Sequence, residues 1–357
     1  MKKMDISHKI KDHFHKQIKK DKNLNNAYLL VHSQKAGIHL NVASGHGQTE
    51  INTLQPQYMA SVGKLFTATL ISIFREKGHL KFDDKIADFL ESDMLNKLHV
   101  YKNTDYSGYI RISHLLNQTS GLFDSFWPLL QNVLNDPNFK ICPKDAIQWG
   151  KENLSSKFKP GTKHYYSDTN YYLLGLILES ISKKPFHELL HQYIFDPLKM
   201  DSAYVFGYSK PKVQSEYLLA GFYVKNQDLS QLENYPGIDY SGGGVVATME
   251  DLLLFMKGLL GNQLINKNTL TMMMEDRKSL NLSINYGYGI WMFKKIPLIL
   301  PTSMYCWGCV GATGAFLFYH PFSESFIIGN FNDLTYHTKA IQFMLFKVVK
   351  ELVKNQR

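Results

Sequence analysis

Apolar positions recur every fourth residue at the start of the chain. Ile6, Ile10, Phe14 and Ile18 fall on one face, which predicts a helix within residues 1–22 that packs that face on the body. Two short apolar runs follow, 27–32 and 38–43. The Ser-Gln-Lys-Ala-Gly link between them makes them a predicted hairpin. Over 59–77 the period returns to helical, with Val62, Leu65, Phe66, Thr69, Leu70 and Ile73 in phase and Gly78 as the stop. Further helices are predicted over 169–182, 186–195 and 249–260, with Pro185 and Pro197 as punctuation. Strands are predicted at about 288–294, 303–309, 314–320 and 325–331. A last helix at about 336–354 carries Ile341, Leu345, Val348 and Leu352 on one face.

Strands at both chain ends with helices between them predict an α/β (α+β) fold. One sheet is assembled from the two ends and flanked by helices. Short links between the C-terminal strands make it antiparallel. The expected organisation is a basic helix at 1–22, an α/β domain from 23–80 and 284–357, and a mostly helical domain at 81–283.

The chain of 357 residues is 44% apolar and 20% charged, as in ordinary globular proteins. Its net charge of +9 is uneven: residues 1–22 hold eight Lys and three Asp. Such an arm could touch nucleic acid or an anionic membrane, but its apolar stripe favours a solvated helix docked on the body, so no nucleic-acid partner is expected. No apolar run is long enough to span a bilayer, and the start lacks the apolar core and cleavage site of a secretory signal. The expectation is a cytoplasmic protein, with Cys142, Cys306 and Cys309 as free thiols. Cys306 and Cys309 form a C-x-x-C, but on a strand an offset of three places them on opposite faces.

Ser61 and Lys64 stand three apart at the start of the apolar helix, on one face. Free N–H groups at a helix start favour developing negative charge, and burial lowers a lysine pKa. Ser61 could therefore be a nucleophile with Lys64 as its base. The same spacing equally suits a capping serine with Lys64 reaching to water. It also occurs at Ser156, Ser180 and Ser209, but none of these opens a long apolar helix. Tyr166-Ser167-Asp168 precedes another apolar helix, and a tyrosine near an ammonium can relay protons. Residues 308–315, Gly-Cys-Val-Gly-Ala-Thr-Gly-Ala, give a glycine-rich strand region where a substrate could lie close, or simply a tight turn.

These three elements, in this order, resemble the serine β-lactamase and penicillin-binding-protein superfamily, closest to its class C β-lactamase, D-alanyl carboxypeptidase and carboxylesterase branch. The likeness extends to residues 115–122 (Leu-Leu-Asn-Gln-Thr-Ser-Gly-Leu), Pro160-Gly161, residues 196–200 and residues 241–251. It implies a nucleophilic Ser61, proton transfer by Lys64 and Tyr166, and an oxyanion hole from the N–H groups of Ser61 and Ala312. No metal or organic cofactor is implied.

Two positions depart from the pattern. Asp168 stands where the family usually has Asn. A carboxylate there would favour the Lys64 ammonium and put more of the base work on Tyr166, or require Asp168 to be neutral. Cys309, in Cys309-Val310-Gly311, stands where a Lys or His is usual; an alignment shifted to Ala312-Thr313-Gly314 lacks the cation equally. Without that cation the reading leans to a small neutral ester or amide rather than D-alanyl peptides or β-lactams. Asp168, Cys309, Gly311 and Ala312 are the expected oxyanion and substrate-binding residues. A zinc hydrolase is the main rival, because His187-Glu188-Leu-Leu-His191 has the H-E-x-x-H spacing, although its His pair is expected to face water. A relative that binds a ligand without turning it over is the other.

Overall fold

The computed structural model describes residues 5–47, 50–225, 227–296 and 300–356. Residues 1–4, part of the expected basic helix, lie outside these. Helix α1 (Ile6–Lys20) buries Ile6, Ile10, Phe14 and Ile18, the predicted stripe, and Asp5 caps its start. It docks on the C-terminal helix through Phe14 against Phe343, a Gln17–Tyr336 hydrogen bond of 2.6 Å and a Lys339–Asp21 ion pair of 2.8 Å.

The sheet uses strands β1 (Ala27–Ser33), β2 (Ile38–Ser44), β3 (Lys278–Ser279), β4 (Ile284–Tyr286), β5 (Trp291–Phe293), β6 (Trp307–Gly311), β7 (Ala315–His320) and β8 (Ser325–Asn330). Their order is β3-β4-β5-β6-β7-β8-β1-β2, antiparallel throughout. The two chain ends meet where β1 pairs with β8, with Val31 opposite Ile327. β6 pairs with β5 only through Trp307 and Gly308, so among the described residues 309–311 have no strand partner on that side.

Three helices frame the region around Ser61. α2 (Gly63–Glu76) is buried at every position from Gly63 to Phe74, and Phe66 stacks on Phe255 at 3.8 Å between ring centroids. α3 (Asp168–Ser182) is buried from Asp168 to Leu178. A helix apolar all round belongs in the core rather than on a surface. α4 (Met249–Leu260) starts at a capping box in which Thr248 and Asp251 exchange hydrogen bonds.

The structure departs from the predicted boundaries where the backbone turns. The helix predicted from 59 begins only at Gly63. Ala60 has φ of 48°, a left-handed conformation that an α-helix cannot contain, so Ala60–Val62 form a separate 3₁₀ turn. The strand predicted at 288–294 is shorter, Trp291–Phe293, because Gly289 at φ 69° turns the chain between β4 and β5, and β3 and β4 before it are not predicted. The strand predicted at 303–309 starts at Trp307, since Thr302–Met304 form a 3₁₀ turn after Pro301. The predicted 186–195 helix is α-helical only to Leu190 and continues as a wider π turn. The last helix, 337–355, is also widened, over Met344–Val349.

Candidate active site

Ser61 sits in the 3₁₀ turn that feeds α2, and Lys64 lies in the first turn of α2. Lys64 is fully buried. Its ammonium donates to the Ser61 hydroxyl at 2.9 Å, to the Gly242 carbonyl at 2.7 Å and to the Asp168 carboxylate. Three donors thus meet three acceptors, as a buried ammonium requires. Burial alone pulls the Lys64 pKa down. The charges of Asp168, Tyr166 and Asp239 and the hydrogen bond to Asp168 outweigh it and hold the group well above the ordinary lysine value. A lysine depressed by burial, expected from the sequence, is therefore not found, because the sequence-distant carboxylates win.

Tyr166 lines the same cavity as Ser61, with Lys64 Nζ 5.2 Å from its ring centroid. Burial raises its phenol; Lys64 opposes this, while Asp168 and Cys309 add to it, and the net direction is up. The tyrosine segment is held by residues 118–124. Gln118 O accepts from Tyr165 N–H at 3.0 Å, Gln118 Oε1 accepts from Ser167 N–H at 3.0 Å, Ser167 Oγ donates to Phe123 O at 2.6 Å, and Asp124 accepts from Asp168 N–H at 3.1 Å. On the other side Thr67 donates to Ser241 O at 2.7 Å, and Ser241 Oγ donates to Tyr171 O at 2.9 Å. The segments at 115–122 and 241–251 are therefore the two cradles of the site.

β6 closes the third side. Cys309 is buried and its thiol donates to Ser61 O at 3.3 Å. Burial pushes that thiol up to about 12. At Gly311 a Cβ would lie 2.4 Å from Met59 O, so only glycine lets the strand approach the turn bearing Ser61. Cys309 and Gly311, expected to meet substrate, instead seat β6 on that turn; neither lines the cavity. Ala312 and Asp168 do line it.

The cavity has a volume of about 430 Å³. Its walls include residues that sequence patterning did not mark as site residues: Phe126, Trp127, Trp291, Leu334 and His337 from separate elements, and Asp239. Asp239 stands two residues before the Ser241 segment, the one nearby signal. Among the described residues that line the cavity, none is Lys or Arg. Asp239 is 3% exposed, and Tyr58 donates its hydroxyl to Oδ2. Burial raises its pKa to about 8, against a lowering by Lys64. Asp124 is raised likewise to about 7, by burial and then by the charge of Asp168.

The His187-Glu188-His191 trio does not assemble. His187 meets the Tyr240 hydroxyl at 3.3 Å and His191 meets Ser209 Oγ at 3.1 Å; both rings are partly buried rather than facing water. Among the described residues no group of three His, Cys, Asp or Glu side chains is arranged to hold a metal ion. Nor is any described helix long and apolar enough to cross a membrane.

Residues 19–342 match the family model described as Beta-lactamase. The chain belongs to the Beta-lactamase family. Within that family, a curated penicillin-binding protein of Bacillus subtilis is 28% identical over 251 residues, 67% of this chain and 52% of the relative. The chain spans about half the length of the curated relatives it matches first. Among solved structures, the D-amino acid amidase of Ochrobactrum anthropi aligns with a TM-score of 0.79 at 16% identity, covering 99% of this chain and 100% of that one. EstCE1, described as a hydrolase with promiscuous acyltransferase activity, aligns with a TM-score of 0.79 at 15% identity over 98% of both chains. At these identities the likeness is one of fold. The Beta-lactamase family fold is the mixed one built here around an antiparallel sheet.

Proposed function

We propose that the protein is a serine hydrolase that forms an acyl-enzyme on Ser61 with a small ester or amide. The observation that carries this is the Lys64 hydrogen bond to the Ser61 hydroxyl, with Ser61 lining a mainly apolar cavity. Family membership supports hydrolytic chemistry, and the fold neighbours described as an amidase and as a hydrolase with acyltransferase activity support acyl transfer.

The proton path follows from the charges. Lys64 remains an ammonium, so it does not take the Ser61 proton; it stabilises negative charge growing on Oγ. Tyr166 is a neutral phenol and acts as a relay. As Ser61 Oγ bonds to the carbonyl carbon, its proton passes to the Tyr166 oxygen. Tyr166 gives its own proton to the leaving nitrogen or oxygen as that bond breaks. The N–H groups of Ser61 and Ala312 would hold the oxyanion. Deacylation runs the same relay in reverse, with water in place of the leaving group.

The test is hydrolysis of a short-chain p-nitrophenyl ester by the wild type and by Ser61→Ala. Activity that disappears in the variant is the expected result. Equal activity in both proteins would remove Ser61 from the role of nucleophile.

A further inference from the structure

The net charge of the chain is confined to two stretches. Residues 1–22 hold eight Lys against three Asp, and residues 337–357 hold four Lys and one Arg against one Glu. Their excess charges, +5 and +4, make up the whole +9, so residues 23–336 are balanced.

The described parts of these stretches lie side by side, far apart in sequence but joined along one seam. His13 of α1 meets Glu351 of the last helix at 3.9 Å, and Phe14 packs on Phe343 beneath. Lysines ring this seam. Lys16, Lys347 and Lys354 lie within charge range of His13, and Lys9 and Lys354 within charge range of Glu351. Lys350 completes the row, because 347, 350 and 354 share one helix face. Lys16, Lys347, Lys350 and Lys354 are exposed and Lys9 is half-buried.

The carboxylates nearby are already engaged. Glu351 accepts from Lys354 at 2.6 Å, Asp12 pairs with His8 at 3.6 Å and Asp21 pairs with Lys339 at 2.8 Å. Among the described residues Lys9, Lys16, Lys347 and Lys350 are in no salt bridge. Like charges gathered in this way repel, and a surface of opposite charge removes that cost.

A second feature marks the kind of surface. Phe346, next to Lys347 and one turn before Lys350, is 41% exposed. A ring left in water among cations gains nothing from the fold. At a bilayer it enters the boundary between headgroups and acyl chains while the lysines meet lipid phosphates and carboxylates. A polynucleotide backbone would take the lysines but would not bury the ring. The five cations are all lysine, point charges on flexible stems, which suit a diffuse anionic sheet better than a planar fork does.

We propose that the seam between α1 and the last helix is a docking face for an anionic lipid bilayer, with the five lysines over the headgroups and Phe346 in the headgroup boundary. The proposal does not depend on the role of Ser61.

The test is co-sedimentation of the full chain with vesicles of phosphatidylcholine alone and of phosphatidylcholine with about one-third phosphatidylserine. Each lysine near an anionic surface contributes about fivefold to partitioning, so the serine-lipid vesicles should be preferred at least about tenfold, and less as salt rises. The triple variant Lys16→Gln, Lys347→Gln, Lys350→Gln should lose about tenfold or more of that binding. A control triple, Lys140→Gln, Lys144→Gln, Lys267→Gln, removes as much charge from exposed positions elsewhere and should keep it. Phe346→Ser should weaken binding about threefold or more at every salt concentration, because its part is apolar. Equal partitioning onto both vesicles overturns the proposal, and so does an equal loss in the two triple variants. Unchanged lipid binding by Phe346→Ser, or binding to a duplex DNA oligonucleotide with none to either vesicle, overturns it in favour of a general polyanion site.

Discussion

Lys64 donates to Ser61 across 2.9 Å while its charge is matched by Asp168 behind it. The side chains of this pair are 0% and 7% exposed, so neither charge has water to fall back on. Lys64→Met therefore leaves a buried carboxylate alone and should cost about 3–5 kcal/mol in stability. Lys64→Met combined with Asp168→Asn should recover a large part of that in urea unfolding. Ester hydrolysis should stay at least about a hundredfold down in both, since the donor to Oγ is gone.

Asp168→Asn alone separates the two proton carriers. With the carboxylate removed, the largest charge holding the Lys64 pKa up is lost, and burial pulls it down. Lys64 can then act as a base, and the kcat/KM profile should gain an acid limb at the Lys64 pKa, which the wild type, with Lys64 held as an ammonium, does not have. A profile superimposable on the wild type would mean that Lys64 is not set by Asp168.

Asp239 makes stability depend on pH in a defined direction. Its pKa is raised from 3.8 to about 8, so between those values the folded chain holds a proton that the unfolded chain has lost. Stability from this group is fully present below about pH 4 and is lost as pH rises through about 8. Asp124 adds the same sign up to about 7. Thermal unfolding between pH 4 and 9 should show Tm falling with pH, and Asp239→Asn should flatten that slope.

Gly311→Ala tests the seating of β6. The new methyl would lie 2.4 Å from Met59 O and 3.1 Å from the Ala60 Cβ, forcing the strand off the turn that carries Ser61. Overpacking of this kind costs about 1–3 kcal/mol. A shift of about 1 Å at the reacting groups costs about a hundredfold in rate. The measurements are unfolding by denaturant and ester kcat/KM; loss of stability without loss of rate would show that the strand position is not critical.

The cavity lacks a lining Lys or Arg among the described residues, so a ligand carboxylate has no strong partner there. Losing a charge-assisted hydrogen bond is worth about 1.5–3 kcal/mol. Labelling of Ser61 by a fluorescent penicillin should therefore be slower than acylation by a neutral ester of similar size by about tenfold or more. Comparable rates would restore the penicillin-interacting reading, which the Bacillus subtilis relative supports.

Local spacing made Ser61 and Lys64 a candidate pair but suited a capping serine with an outward lysine equally; the structure brings the two within 2.9 Å. The alternation and turns near the C-terminus were enough for the antiparallel sheet. The charge state of Lys64 was legible only through the family likeness, which set the Asp168 carboxylate beside it; local spacing alone pointed to a lysine depressed by burial. Its partners Asp168 and Gly242 lie 104 and 178 residues away, and no local pattern encodes such contacts. The break before Gly63 was hidden because Ala60 is not a residue that signals a left-handed backbone. Trp127, Trp291, Leu334 and His337 come from separate stretches of chain, and only folding makes them one wall.

The junction of β1 with β8 sets the timetable of assembly. Val31 must wait for Ile327 before the β1–β2 hairpin can join the other six strands. At about 5–20 residues per second on the ribosome, that interval is roughly fifteen seconds to a minute. During it the β1–β2 hairpin can form, but β1 has an open edge rich in Leu29, Leu30 and Val31. Nascent chains should therefore depend on chaperone capture of this hairpin, and a copy truncated before Ser325 should never escape it.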